Sequence, residues 1–200
     1  MNGTIRSYFA FLGISAIIDI FIGLAIVAFS DFYSAIWALT TKAIQTYWYL
    51  VIILPAVGFT LSSLLVKFLA KTKTTGSGAH GFLEMYHYGG GILSEKDTVS
   101  KSLASGFTIG FGGSAGLEGP SLIIGGGIAS AICRRIHLDP KDLKIYLLSG
   151  AAAGISAIFK APLTGILFAL EIPYKRDLAK EAFIPATVSS LLAYFISINS

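Results

Sequence analysis

The chain has 200 residues, of which 54% are hydrophobic and only 13% charged, with 22 glycines and a net charge of +4. A globular chain carries about 25% charged residues, so an ordinary soluble domain is excluded. The excess of positive charge does not point to nucleic acid, because the basic residues sit in short clusters between apolar segments.

The charges leave long gaps. None falls between Ala43 and Val66 or after Glu181, only Asp19 falls between Ser7 and Ser30, and only Glu118 between Ser102 and Cys133. Uncharged apolar runs of 18 or more residues read as membrane-spanning helices, since about 20 residues cross the hydrocarbon core. The chain therefore reads as an all-α, multi-pass membrane protein. Arg6 before an apolar run resembles the start of a signal peptide, but the run is too long and no small-residue cleavage site follows, so the first helix reads as retained. The single cysteine, Cys133, has no internal disulfide partner.

In chain order, apolar segments over Tyr8–Trp37 and Thr41–Lys71 are predicted to form a tilted helical hairpin. The stretch Lys71–Gly81 is polar and Gly-rich and opens a weakly apolar segment ending near His87. A turn at Gly89–Gly91 and a polar loop over Ser94–Lys101 follow. Ser102–Gly112 and Pro120–Ile136 are short segments broken by Gly113–Gly119. Ile145–Phe159 and Pro162–Ile172 are split at Lys160–Pro162, and Leu178–Ile198 is long enough to span.

Irregular backbone at membrane depth is tolerated where protein buries it or where it lines a cavity, so short, Gly/Pro-interrupted segments point to a binding site built from broken helices. Close helix packing by small residues is the alternative for the Gly110–Gly127 cluster, although packing does not account for a carboxylate in its middle. The basic clusters at Arg6, Lys67/Lys71/Lys73, Arg134/Arg135/Lys141/Lys144 and Lys175/Arg176/Lys180 are expected on the cytoplasmic side, with the amino terminus. The carboxyl terminus is then outside. An odd number of crossings suits one unit of an inverted-topology repeat.

Glu118 is the leading candidate for function. It stands in Gly116-Leu117-Glu118-Gly119-Pro120, and a carboxylate at membrane depth is a functional candidate by default. Pro120 suits a first helical turn, which puts Glu118 near a helix amino end where free N–H groups attract anions. There the carboxylate can occupy an anion site and vacate it on protonation; a plain capping glutamate is the alternative. Gly76-Ser77-Gly78 offers a hydroxyl and amides at a helix start, or else a simple turn. Glu171 reads as a proton-path candidate or as an interfacial glutamate paired with Lys175. Asp19, alone in the first helix, reads as a proton relay or as a structural residue. His80 and His87 are seven apart with no third ligand nearby, so no metal site is expected. No Ser/His/Asp set or Walker loop is present, and the glycine strings do not follow a soluble strand, so a dinucleotide site is not supported. The chain is not expected to be an enzyme.

The order GSG (76–78), GSAGLEGPSLIIGGGIAS (113–130) and GAAAGISAIFKAPLTGILFALEI (150–172) resembles the ClC family of chloride channels and proton–chloride exchangers, in register over nearly the whole chain. The resemblance implies that Ser77, with Gly76 and Gly78, coordinates the anion. It implies that Glu118 is the gating glutamate and that the backbone of Gly116, Leu117, Gly119 and Pro120 supplies amides. Chloride would be the transported ligand, with no cofactor, in a homodimer in the cell membrane. Family members usually have Ile-Pro after the GSG motif, where this chain has Ala79-His80, and commonly a basic residue where it has Leu117. Exchangers typically carry two successive acids where it has Glu171 and Ile172, which resembles channel-type members. The family core is about twice this length, so residues 1–200 correspond to its amino-terminal half, with no separate soluble domain. The second half would supply a coordinating tyrosine and another amide-bearing helix. Glutamate-gated conduction is the expected function; proton-coupled exchange and a non-conducting half that needs a partner are the alternatives.

Overall fold

The computed structural model describes residues 2–73, 78–174 and 177–198, with side chains from residue 13 onward. The described residues form helices α1 (Asn2–Thr46), α2 (Leu50–Leu69), α3 (Gly78–His87), α4 (Glu95–Gly110), α5 (Glu118–Arg135), α6 (Pro140–Phe159), α7 (Pro162–Glu171) and α8 (Phe183–Ser197). A single 3-10 turn, Lys180–Ala182, precedes α8.

Three helical stretches among the described residues are long and apolar enough to cross a membrane: Gly13–Thr46, Leu50–Leu69 and Pro140–Phe159. α1 buries Ile18, Ile22, Ile26 and Phe29 on one face and exposes Ile17, Ile20, Phe21 and Leu24 on the other. In water such a helix would be misplaced; in a bilayer the exposed face meets lipid, which is as apolar as leucine. At 1.5 Å per residue its 45 residues extend about 67 Å, more than twice the hydrocarbon core, so α1 must tilt. α2 buries only Gly58, Ser62 and Val66, at i, i+4 and i+8. Ser62 Oγ lies 2.6 Å from Ala104 O and 2.7 Å from Thr108 Oγ1, which ties α2 to α4. The hairpin turn predicted between Trp37 and Thr41 is not there: α1 runs through it to Thr46, the connection is at Tyr47–Tyr49, and α1 and α2 scarcely touch, since α2 leans on α4 while α1 packs against α4, α5, α6 and α8.

α6 is the buried centre, flanked by α1, α5, α7 and α8. Gly125 of α5 and Gly150 of α6 face each other backbone to backbone, with no space for a Cβ on either. The two helices therefore approach as closely as small residues allow.

Three further boundaries depart from the sequence reading. The polar stretch Ser94–Lys101, predicted as loop, is the start of α4, which begins at Glu95. Its polar side chains are used locally: Glu95 and Asp97 sit in the first turn, where acids are favoured, and Ser102 Oγ donates to Thr98 O at 2.6 Å. α6 starts at Pro140, not near Ile145, because Asp139 ends the preceding loop in an extended conformation and Pro140 takes the first helical position. The last apolar segment, predicted to span as one helix from Leu178, forms only the 15-residue α8 after the 3-10 turn. The breaks at Gly89–Gly91, Gly113–Gly119 and Lys160–Pro162 are present, although α5 already begins at Glu118 and α7 at Pro162. Gly90 and Gly91 adopt φ of 61° and 81°, Gly112 88° and Lys160 55°, each ending or reversing a helix.

Candidate anion site

The amino ends of α3 and α5 converge. A Cβ at Gly78, the first residue of α3, would lie 2.5 Å from Gly119 O and 2.7 Å from Gly119 C, so only glycine allows the approach. The same virtual atom would lie 3.0 Å from Ile123 Cγ1, one turn into α5. Two helix amino termini thus meet, each with N–H groups that have no intrahelical acceptor. In α5 these belong to Leu117, Glu118 and Gly119, since Pro120 has no N–H. Ser121 is fully buried beneath them, its hydroxyl 2.8 Å from Leu117 O and 2.9 Å from Glu118 O. That contact adds to the helical bond from Ser121 N to Leu117 O and holds the first turn closed.

Glu118 is exposed in this first turn. Its carboxylate folds back over Gly116, into the space a Cβ there would occupy. No hydrogen bond or ion pair holds it among the described residues, so it does not act as a fixed cap. Leu117, which precedes it, packs its side chain on the core cluster formed by Ile22, Ile26 and Ile124, anchoring the turn from beneath.

The structure brings Glu118 together with Gly78, Gly116, Leu117, Gly119 and Pro120. Gly76 and Ser77, the expected anion-coordinating pair, lie outside the described residues. Glu171 is not part of this junction. It stands exposed at the end of α7, with no bond to its carboxylate among the described residues. The segment after it docks on the far end of α3: Tyr174 Oη lies 2.9 Å from Tyr86 Oη, and His87 Nε2 lies 2.9 Å from Pro173 O. Ten residues of helix, about 15 Å, separate that contact from Gly78. Lys175, its expected partner, falls outside the described residues. Asp19 is buried in α1 and faces Ser189 of α8, away from the α3–α5 junction. Among the described residues no group of three or more His, Cys, Asp or Glu could hold a metal.

A cavity of about 940 Å³ reaches Gly81 and Ile123, and so the junction, from the basic end of the bundle. Its charged lining is mixed, with Lys71, Lys73, Lys96, Lys101 and Arg134 beside Glu84, Glu95 and Asp97. Two of the basic clusters expected on one face, Lys71/Lys73 and Arg134, thus meet there; Lys175, Arg176 and the side chain of Arg6 lie outside the described residues. Exposed Trp37, Tyr47, Trp48 and Tyr49 lie at the other end of α2, where interfacial aromatics belong. Outside the spans, Asp177 is held below the usual carboxylate range by the Leu178 N–H and by Lys180.

Two contributors were missed by the sequence reading. Lys101 Nζ would lie 3.6 Å from a Cβ at Gly81, which puts an ammonium beside the first turn of α3. Asp97, buried, accepts from Lys71 N at 2.8 Å and Thr72 N at 3.1 Å. It thereby fixes the backbone that leads toward the GSG motif. Its signal was available: Ser94-Glu95-Lys96-Asp97 has the S-x-x-D spacing of a capping box, although here the acid bonds another segment.

Two helix amino ends that meet beside an unbonded carboxylate make a place where backbone N–H groups attract anions. The family comparison agrees. Residues 57–200 match the model of the family described as voltage gated chloride channel, and the chain belongs to that family of channels and transporters. It is 33% identical over 174 residues to the "H(+)/Cl(-) exchange transporter ClcA" of Citrobacter koseri, a match that covers 81% of this chain and 36% of that one. It is 35% identical over 91 residues to the "Voltage-gated ClC-type chloride channel ClcB" of Yersinia pseudotuberculosis, covering 46% of this chain and 22% of the relative. The fold matches that of a CLC-type fluoride/proton antiporter with a TM-score of 0.79 at 21% identity, over 96% of this chain and 47% of that chain. The chain thus spans about half of its structural neighbour and about a third or less of these curated relatives.

Proposed function

We propose that the chain forms one half of a chloride pathway whose access is gated by Glu118. The observation that carries this reading is the α3–α5 junction, where the Glu118 carboxylate lies unbonded over Gly116, beside amides that attract anions. A carboxylate tethered there competes with a free anion for the same N–H groups, and protonation or a swing of the side chain releases the place. Ser77, with Gly76, would add a hydroxyl from the start of α3.

A second half of the repeat would complete the site from the other side. The exposed apolar residues of α7 and α8, Leu163, Leu167, Ile184 and Phe195 among them, would contribute to a homodimer interface. The basic end, with the amino terminus, would face the cytoplasm of a cell-membrane protein. No cofactor is required, and nothing in the site calls for an enzymatic step.

Passive conduction is favoured over exchange by the end of α7, where Glu171 is followed by Ile172 and no second acid extends the position. Proton-coupled exchange is the second reading, because the relatives include an exchange transporter by name. The test is Glu118→Gln in the protein completed by its second half, reconstituted in liposomes. Chloride efflux is expected to rise and to lose its pH dependence, since the competing charge is gone. Unchanged efflux with an unchanged pH response in a folded variant would make Glu118 structural. Reversal potentials in a pH gradient separate the two readings: coupling shifts them with the proton gradient and conduction does not.

A further inference from the structure

The junction of α1, α6 and α8 holds the most anomalous buried group in the chain. Asp19 is 0% exposed, and neither of its oxygens has a hydrogen-bond partner among the described residues. Ser15, one turn earlier on α1, and Ser189 on α8 are each 1% exposed, and no hydrogen bond of ordinary geometry reaches their hydroxyls, although Ser189 lies against Asp19 and Ser15 against Tyr146. Four of the five buried, unpartnered side-chain atoms of the described residues thus belong to three neighbouring residues. Ser189 is the hydroxyl that faces Asp19, and Tyr146 of α6 stands beside Ser15.

Chance does not explain such a cluster, because buried polar groups are almost always satisfied by protein, water or an ion. Among the described residues the charge has no paired cation either. α8 carries no charged residue along Phe183–Ser197, and the cations of α5 and α6, Arg134, Arg135, Lys141 and Lys144, form no ion pair with Asp19. α4 meets α1 farther along, at Phe32 and Ile36. An isolated carboxylate in such surroundings costs many kcal/mol unless its charge is neutralised.

We propose that this junction is a binding site for one monovalent positive charge, a proton or a sodium ion, taken up on the Asp19 carboxylate. Ser15 and Ser189 complete its oxygen shell. A proton on one carboxyl oxygen would be donated to a serine hydroxyl, and the other oxygen would accept from the second serine. A sodium ion would be held by the same oxygens. The site joins α1 to α8 at a place distinct from Glu118, and it does not rest on the transport reading.

Infrared spectroscopy of the purified protein in lipid, with and without ¹³C-labelled aspartate, tests the first source. A bound proton gives a protonated-carboxyl band at neutral pH that shifts with the label, shifts in frequency in Ser189→Ala and is lost in Asp19→Asn. Thermal melting of the unsubstituted protein in sodium and choline chloride at equal ionic strength tests the second. A bound ion gives no such band and raises the melting temperature in sodium only. The expected result is the band with no sodium effect, because four side-chain oxygens are fewer than the six or more that hard cations commonly gather. Neither a band nor a sodium effect would overturn the proposal and leave an ionised carboxylate without a ligand. The measurements on the unsubstituted protein stand even if Asp19→Asn fails to fold.

Discussion

At the scale of single residues, the site is held by groups whose roles lie in what surrounds them. Gly78 has no room for a methyl group against Gly119. Gly78→Ala is expected to push the two helix ends apart, at a cost of about 1–3 kcal/mol, and to reduce chloride efflux more than that loss of stability explains. A thermal melt and a liposome assay on the same preparation separate the two effects; normal efflux would show that the close approach is not needed. Asp97 allows a sharper contrast. Asp97→Asn keeps the carbonyl oxygen that accepts from Lys71 N and Thr72 N, whereas Asp97→Ala leaves both without that acceptor. Melting is expected to show a loss of about 1–3 kcal/mol for alanine and a smaller one for asparagine. Equal losses would mean that charge, not hydrogen bonding, holds the clasp.

At the scale of helices, the breaks were legible and the joins were not. Gly89–Gly91, Gly113–Leu117 and Lys160–Ala161 interrupt α-helical runs through backbone requirements that residue type reveals directly. The start of α4 was hidden because its polar residues are satisfied within the helix and by α2, a partner 26 residues away in sequence for Asp97 and Lys71. α8 was overestimated because apolar content extends beyond the helix, and composition does not show where a 3-10 turn begins. Glu118 was identifiable from its isolation in an uncharged stretch. Its neighbour Gly78 gained a structural meaning only when Gly119 was seen against it. The contact between α5 and α6 makes a prediction at this scale: Gly150→Leu places a side chain against the Gly125 backbone. The folded fraction by size-exclusion chromatography should fall sharply, while Gly13→Leu, with nothing within 4 Å of its Cβ position, should leave it unchanged.

For the molecule as a whole, one cavity brings together members of two of the four basic clusters expected on one face, Lys71 and Lys73 with Arg134. Completeness of the pathway is a separate matter. If a second half is needed, residues 1–200 reconstituted alone will show no chloride efflux that depends on Glu118, because an anion at the α3–α5 junction would be desolvated on one side without compensation. A halide electrode reads this directly. Glu118-dependent efflux from the 200-residue chain would mean that copies of it assemble a whole pathway.

The burial of α6 also bears on how the protein enters a membrane. α1 and α2 are strongly apolar and come first, whereas α6 is less apolar and is mostly buried inside the bundle. A helix of that kind partitions poorly from the translocon by itself. It becomes stable in lipid when α5 and the already inserted α1 receive it. Sequence order therefore doubles as an order of delivery, in which the self-sufficient segments arrive before the dependent one. Any lesion that delays α1 should strand α6 at the membrane surface and expose it to quality control.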